Sequence, residues 1–173
     1  MKIVLIGYMG SGKSSVGVKL AEVLKIPFKD MDSEIENNQG MSISELFSKK
    51  GEIYFRKKEH ETLKQLLAQS ESFVLATGGG TPCYGDNMTA MLGREDVKTV
   101  YLKLPIEVLA PRLFQEKDQR PLLAHLETEE DLNDFIRKHL FERVYYYNQS
   151  EYIMNCGNDD LDTIVEKIVL KLF

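Results

Sequence analysis

The chain has 173 residues, 43% of them apolar and 28% charged, with a formal net charge of −5. That length suits one domain, 1–173, able to bury a full core, and the acidic balance argues against nucleic acid as the main partner, because phosphodiester backbones select basic surfaces, while leaving room for a small anion in a local basic pocket. No apolar run approaches the roughly 18 residues that span a bilayer. The first residues enter an apolar strand at once, with no leader pattern, so a cytoplasmic protein is expected. Cys83 and Cys156 lie far apart without a C-x-x-C pair, which reads as free thiols in a reducing compartment.

Residues 2–6 form the first expected strand, carried by Ile3-Val4-Leu5-Ile6. Residues 7–14, GYMGSGKS, then fit the phosphate-binding pattern G-x-x-x-x-G-K-[ST], and Val16, Leu20, Val23 and Leu24 follow at helical spacing. Strand before and helix after is the context that gives this pattern its meaning. Gly7, Gly10 and Gly12 let backbone N–H groups reach phosphate oxygens, and the helix N-terminus adds partial positive charge. Lys13 is expected at the β- and γ-phosphates and Ser14 on Mg²⁺.

A second strand, 27–31, ends near Asp30 and Asp32. On a strand the i and i+2 side chains share a face, so two carboxylates there suit Mg²⁺ and a substrate hydroxyl. The other reading is a cap for a helix starting at Ser33. Residues 33–70 are almost wholly helical in pattern. Ser42 with Glu45 reads as a capping box, and Gly51 ends that short helix. Residues 33–61 are read as a substrate-binding insert over the sheet edge. Within them Phe55-Arg56-Lys57-Lys58-Glu59 is amphipathic and basic, open to either a site or a solvated face.

Strand 72–77 runs into Gly78-Gly79-Gly80, which implies close backbone approach to something, or else a tight turn. Strand 98–104 precedes a helical pattern in which Pro111 is expected to kink or end the helix. Residues 115–126, QEKDQRPLLAHL, show no clear period and read as a mobile lid over 112–126, with a surface loop as the alternative. Arg143 stands in a helical stretch with Tyr147 one turn later on the same face. A short strand at 152–154 and an amphipathic helix at 161–172, capped by Asp159 or Asp160, complete the chain. His60, His125 and His139 form no metal spacing and read as surface or packed residues. Alternating strands and helices imply a three-layer α/β fold: a five-stranded parallel sheet flanked by helices, with ligands beyond the carboxyl ends of the strands. The phosphate loop, Asp30 with Asp32, and Gly78-Gly79-Gly80 then fall on one edge.

The ordered set GYMGSGKSS, KDMDSEIE, SISELF, GEIYFRKKE, ATGGGT, RPLL and ERVYYY resembles the shikimate kinases, small-molecule kinases of the P-loop class, over residues 7–147. The resemblance implies transfer of the ATP γ-phosphoryl to the 3-hydroxyl of shikimate, a step toward chorismate and the aromatic amino acids. It assigns Gly10, Ser11, Gly12, Lys13, Ser14 and Ser15 to the phosphates, and Ser14 and Asp30 to Mg²⁺. Asp32 is assigned to the ring hydroxyls, as base or as orienter, Arg56 and Arg143 to the carboxylate, and Gly78, Gly79 and Gly80 to the substrate through backbone groups. Arg112 is placed at the adenine, and Arg120 swings in with the lid, which makes Lys13, Asp32 and Arg120 the catalytic set. Phe47 and Phe55 floor the ring pocket. The spacing from Arg112 to Arg120 is one residue longer than the family's. Residues 156–160 read CGNDD where an arginine is usual, and Glu151 replaces a small residue. The partners implied are ATP and shikimate, taken by a monomer. The enzymatic rival is another small-metabolite kinase of this fold, such as a gluconate kinase, and the rival of another class is a nucleotide-binding switch or inactive paralogue that binds a partner.

Overall fold

In a computed structural model, which describes residues 1–120 and 122–173, the described strands are β1 (Lys2–Ile6), β2 (Phe28–Asp30), β3 (Phe73–Ala76), β4 (Val97–Lys103) and β5 (Tyr152–Asn155). Pro121, part of the expected lid, lies outside the described residues. The strands form one parallel sheet in the order β2-β3-β1-β4-β5. β1 and β3 are buried at every position, which is why both read as unbroken apolar runs: a central parallel strand is covered on two faces. Lys2 is buried too, with its ammonium paired to Asp96.

The helices are α1 (Lys13–Leu24), α2 (Met31–Gln39), α3 (Ile43–Ala68), α4 (Asn87–Leu92), α5 (Ile106–Glu116), α6 (Glu129–Tyr147) and α7 (Leu161–Leu172). The chain leaves β1 for the sheet's edge and then works back across it. Right-handed crossovers therefore put α1 on one face and the helices that follow β2, β3 and β4 on the other. α7 packs on α1 and completes the first layer. The three-layer parallel architecture is as the sequence implied.

Local chemistry sets the helix ends. Ser42 accepts from the Glu45 N–H at 3.2 Å while Glu45 accepts from the Ser42 N–H at 3.1 Å, a reciprocal capping box. Gly51 has φ 82° and ψ 171°, so α3 is two helical segments meeting at a break, as its glycine implied. Asp160 caps α7 by accepting from the Thr163 N–H at 2.8 Å. Two expectations need correction. α5 continues through Pro111 to Glu116, so of the two outcomes expected of the proline it is the ending of the helix that fails. In α1 the buried stripe is Val16, Gly17, Leu20 and Ala21, which leaves Val23 half exposed at its margin.

Gly17 faces β2. A methyl group there would come within 2.4 Å of the Phe28 ring and 3.3 Å of Leu5. Helix propensity alone favours alanine over glycine by about 1 kcal/mol. Overpacking works against it by about 1–3 kcal/mol. Gly17→Ala is expected to lower the urea midpoint; a raised midpoint would show that the ring steps aside freely.

Candidate active site

Beyond β1 the chain enters the phosphate loop. Gly10 (φ 75°) and Gly12 (φ 86°) hold left-handed conformations that only glycine takes without strain. Gly12 precedes α1, whose first turn carries neither a side-chain cap nor an acidic residue. Its N–H groups are thus free to meet an anion at the positive end of the helix. Ser11 is buried there with a hydroxyl that has no partner among the described residues, while Ser15 is exposed. Lys13 Nζ donates to the carbonyl oxygens of Gly7 (2.8 Å) and Tyr8 (3.0 Å). Desolvation outweighs the nearby Asp32 charge and lowers its ammonium to about 8. Ser14 Oγ donates to Asp30 Oδ2 at 3.2 Å. Arg112 reaches the same loop, its guanidinium 3.4 Å from the Gly10 carbonyl oxygen.

Asp30 and Asp32 do not alternate along a strand. β2 stops at Asp30, and Asp32 lies in the first turn of α2. Asp30 Oδ1 accepts from the N–H groups of Asp32 (3.0 Å) and Ser33 (3.3 Å), while its Oδ2 meets Ser14. The helix-cap reading and the metal reading of Asp30 are therefore compatible, because each uses a different oxygen. Asp32 lines an open cleft. Desolvation by the surrounding protein, then the Asp30 and Glu59 charges, raise its carboxyl to about 6.

That cleft, about 310 Å³, is bounded by Met9, Asp32, Phe47, Phe55, Arg56 and Gly78-Gly79-Gly80, with Arg120 and Arg143 at its walls. Phe47 and Phe55 meet with ring centroids 4.6 Å apart. The triple glycine has no left-handed member; its demand is for space. A Cβ would sit 2.7 Å from Arg56 Nη1 at Gly80, 3.4 Å from Arg143 Nη1 at Gly79 and 3.2 Å from Glu59 Oε1 at Gly78. The close approach inferred from the sequence is thus to the cleft's own charged groups.

Sequence reasoning missed the residue that holds Arg56. Glu59 is 1% exposed, accepts from Arg56 Nη1 at 2.8 Å and accepts from Thr81 Oγ1 at 2.6 Å. The i,i+3 spacing in F-R-x-x-E is the signal that pointed to it. Arg56 also stacks on Tyr84, 3.9 Å from the ring centroid, and its buried Nε makes no hydrogen bond among the described residues, although Glu52 Oε1 lies 3.5 Å away as a second, half-exposed carboxylate. No carboxylate among the described residues lies within salt-bridge distance of Arg143. One turn on, Tyr147 is fully buried and donates to the Gly79 carbonyl oxygen at 2.6 Å. Among the described residues of the expected lid, α5 reaches Glu116, a 3₁₀ turn spans Lys117–Gln119, and Leu123 is fully buried. Arg120 rests on Glu116, with its Nη2 donating at 2.5 Å.

The structure thus brings the predicted residues of phosphate loop, α2, α3, β3 turn, lid and α6 to one edge of the sheet. The family model for shikimate kinase matches residues 9–173. A shikimate kinase of Flavobacterium johnsoniae is 46% identical over 168 residues, 97% of this chain and 96% of that one. A crystal structure of shikimate kinase from Bacteroides thetaiotaomicron superposes with a TM-score of 0.90 at 36% identity, covering 99% of this chain and 98% of that chain. One from Acinetobacter baumannii, in complex with shikimate, gives 0.83 at 33% identity over 99% and 92% of the two chains.

The crowding of Asp32 is measurable. Carboxyl-carbon NMR of the protein without ligands is expected to show Asp32 titrating near 6, protonated below and ionised above. A midpoint near the ordinary 4 would mean that the carboxyl stays hydrated in the open cleft and that water also screens Asp30 and Glu59.

Proposed function

The chain belongs to the shikimate kinase family, and we propose that it transfers the γ-phosphoryl of ATP to the 3-hydroxyl of shikimate, giving shikimate 3-phosphate and ADP. The family makes it an ATP-dependent phosphotransferase with an alcohol acceptor, serving aromatic amino-acid biosynthesis. The observation that carries the choice of acceptor is the pair Arg56 and Arg143 at the Gly78-Gly79-Gly80 turn. One guanidinium meets Glu59 at one nitrogen and only the half-exposed Glu52 at another, and the other guanidinium has no carboxylate among the described residues, so a small carboxylic acid is the ligand that completes them. The planar fork of arginine matches a carboxylate bidentately.

The nucleotide's phosphates lie in the loop, on the N–H groups of Gly10, Ser11, Gly12, Lys13, Ser14 and Ser15. Lys13 turns from the Gly7 and Tyr8 carbonyls to the β- and γ-oxygens. Its ammonium is then paired with phosphate, which offsets the desolvation that depresses it. Arg112 borders the adenine end and Arg120 leaves Glu116 for the transferring group as the lid closes. Ser14 Oγ and Asp30 Oδ2 are hard oxygen donors 3.2 Å apart at the loop, the donor chemistry of a Mg²⁺ that arrives with nucleotide phosphates. When bound, that ion neutralises charge on the β- and γ-oxygens.

Shikimate lies across Phe47 and Phe55, its carboxylate on Arg56 and Arg143 and its ring hydroxyls at Asp32 and the glycine turn. Phosphoryl transfer depends on alignment and charge neutralisation more than on strong base catalysis. Asp32 therefore chiefly orients the attacking hydroxyl, and its raised basicity equips it to take the proton as the new bond forms. A closed lid keeps water from the γ-phosphoryl. A monomer in the cytoplasm completes the reading, since one chain supplies every group in the site.

The test is ADP release with Mg-ATP against shikimate, quinate, gluconate, nucleoside monophosphates and no acceptor. Release with shikimate alone is expected; release with gluconate or a nucleotide instead would discard the two-arginine pocket. Arg56→Ala is expected to weaken shikimate by about 2–5 kcal/mol while leaving ATP affinity nearly unchanged. Equal loss of both affinities would sink that role. Lys13→Ala is expected to lower kcat with folding preserved, and an unchanged kcat would remove its charge-stabilising role.

A further inference from the structure

Tyr8 is a large phenol inside a loop whose phosphate-binding work is done by backbone. Its side chain is 1% exposed. A buried phenol needs a hydrogen-bond partner, and here the partner comes from far along the chain: the hydroxyl lies 2.9 Å from His139 Nδ1. The two rings meet edge to face with centroids 5.5 Å apart, and Phe135, one turn earlier on α6, backs the imidazole at 5.1 Å.

Each partner is joined to one half of the site. The Tyr8 carbonyl oxygen receives Lys13 Nζ at 3.0 Å and the Ser11 N–H at 3.2 Å. His139 precedes Arg143 by one turn on α6, and Tyr147, one turn further, holds the Gly79 carbonyl. His139 and Arg143 also border a second cavity, about 750 Å³, that adjoins the acid cleft. From this geometry we infer that the Tyr8–His139 hydrogen bond is a positioning link, which couples occupation of the carboxylate site by shikimate to the affinity of the phosphate loop for nucleotide.

The link rests on the shikimate kinase reading of the two sites. It works because both partners are uncharged. Burial lifts the Tyr8 hydroxyl far above its ordinary range, and burial followed by the Arg143 charge lowers the His139 imidazole. A carboxylate at 139 would capture Arg143 and compete with the substrate; a neutral imidazole leaves that guanidinium for the ligand. When the acid draws Arg143 in, α6 carries His139 with it, and the Tyr8 hydroxyl follows. The Tyr8 backbone is where Lys13 rests, so the displacement reaches the group that must turn to the nucleotide. Two sites that bias one shared element affect each other reciprocally.

The experiment compares the unsubstituted enzyme with Tyr8→Phe, His139→Phe, the double variant and His139→Asn, which can restore a hydrogen bond near the Nδ1 position. The readout is the Kd of a Mg-bound ATP analogue with a non-transferable γ-phosphoryl, with and without saturating shikimate. Shikimate is expected to tighten the analogue in the unsubstituted enzyme. Each Phe variant should reduce that tightening about fivefold, one hydrogen bond's worth. The double variant should lose no more than either single, and His139→Asn should recover part of the effect. Tightening that is absent in the unsubstituted enzyme, unchanged in either Phe variant, or lost additively in the double variant would overturn the link. Should Tyr8→Phe fail to fold, His139→Phe against His139→Asn decides. Absence of shikimate-dependent ADP release from the unsubstituted enzyme would instead overturn the parent reading.

Discussion

The structure depends on keeping positive charge in a cleft without neutralising it. A protein of net charge −5 gathers Lys13, Arg56, Arg120 and Arg143 at one sheet edge, where burial makes bare cations costly and strongly attractive to anions. Each is held differently. Lys13 leans on two backbone carbonyls, Arg56 is part-paired with Glu59 and stacked on Tyr84, Arg120 is parked on Glu116, and Arg143 has no carboxylate among the described residues. Backbone oxygens and carboxylates that are shared or half exposed position a cation without fully compensating it; Arg56 has both Glu59 and, at 3.5 Å, Glu52. The residual charge is what the proposed reading gives to phosphates and a substrate carboxylate.

The fold supplies the edge. The order β2-β3-β1-β4-β5 sets the ends of β2, β3 and β1 side by side, so the Asp30 cap, the glycine turn and the phosphate loop become neighbours although they are far apart in sequence. α3 then reaches over from one side with Arg56 and Glu59, and α6 from the other with Arg143 and Tyr147. Glycine at 78, 79 and 80 lets those side chains close on the backbone. Buried Glu59 is the least visible contributor: it bridges Arg56 and Thr81, and so ties α3 to the turn after β3.

Much of this was legible in the sequence because it is local. The phosphate loop has a fixed spacing between strand and helix, the Ser42–Glu45 box is four residues long, and the stripe of α7 has the helical period. The failures are also physical. Asp30 and Asp32 look like alternating strand residues, but Asp30's own carboxylate starts a helix by binding two N–H groups, and tertiary context decided where β2 stopped. Pro111 is tolerated within α5. Tyr8 and His139 could not be paired from sequence, since 131 positions separate them and neither carries a local signal.

The claim that uncompensated charge defines the acid site is tested most directly by calorimetric titration of shikimate against its methyl ester, which keeps the ring hydroxyls and removes the carboxylate charge. The account predicts that the ester binds at least about a hundredfold more weakly, the loss expected when buried guanidinium groups are left unpaired, and that Arg56→Ala erases most of that difference. Equal binding of acid and ester would contradict it, and would mean that the hydroxyls and the aromatic floor, rather than Arg56 and Arg143, select the ligand.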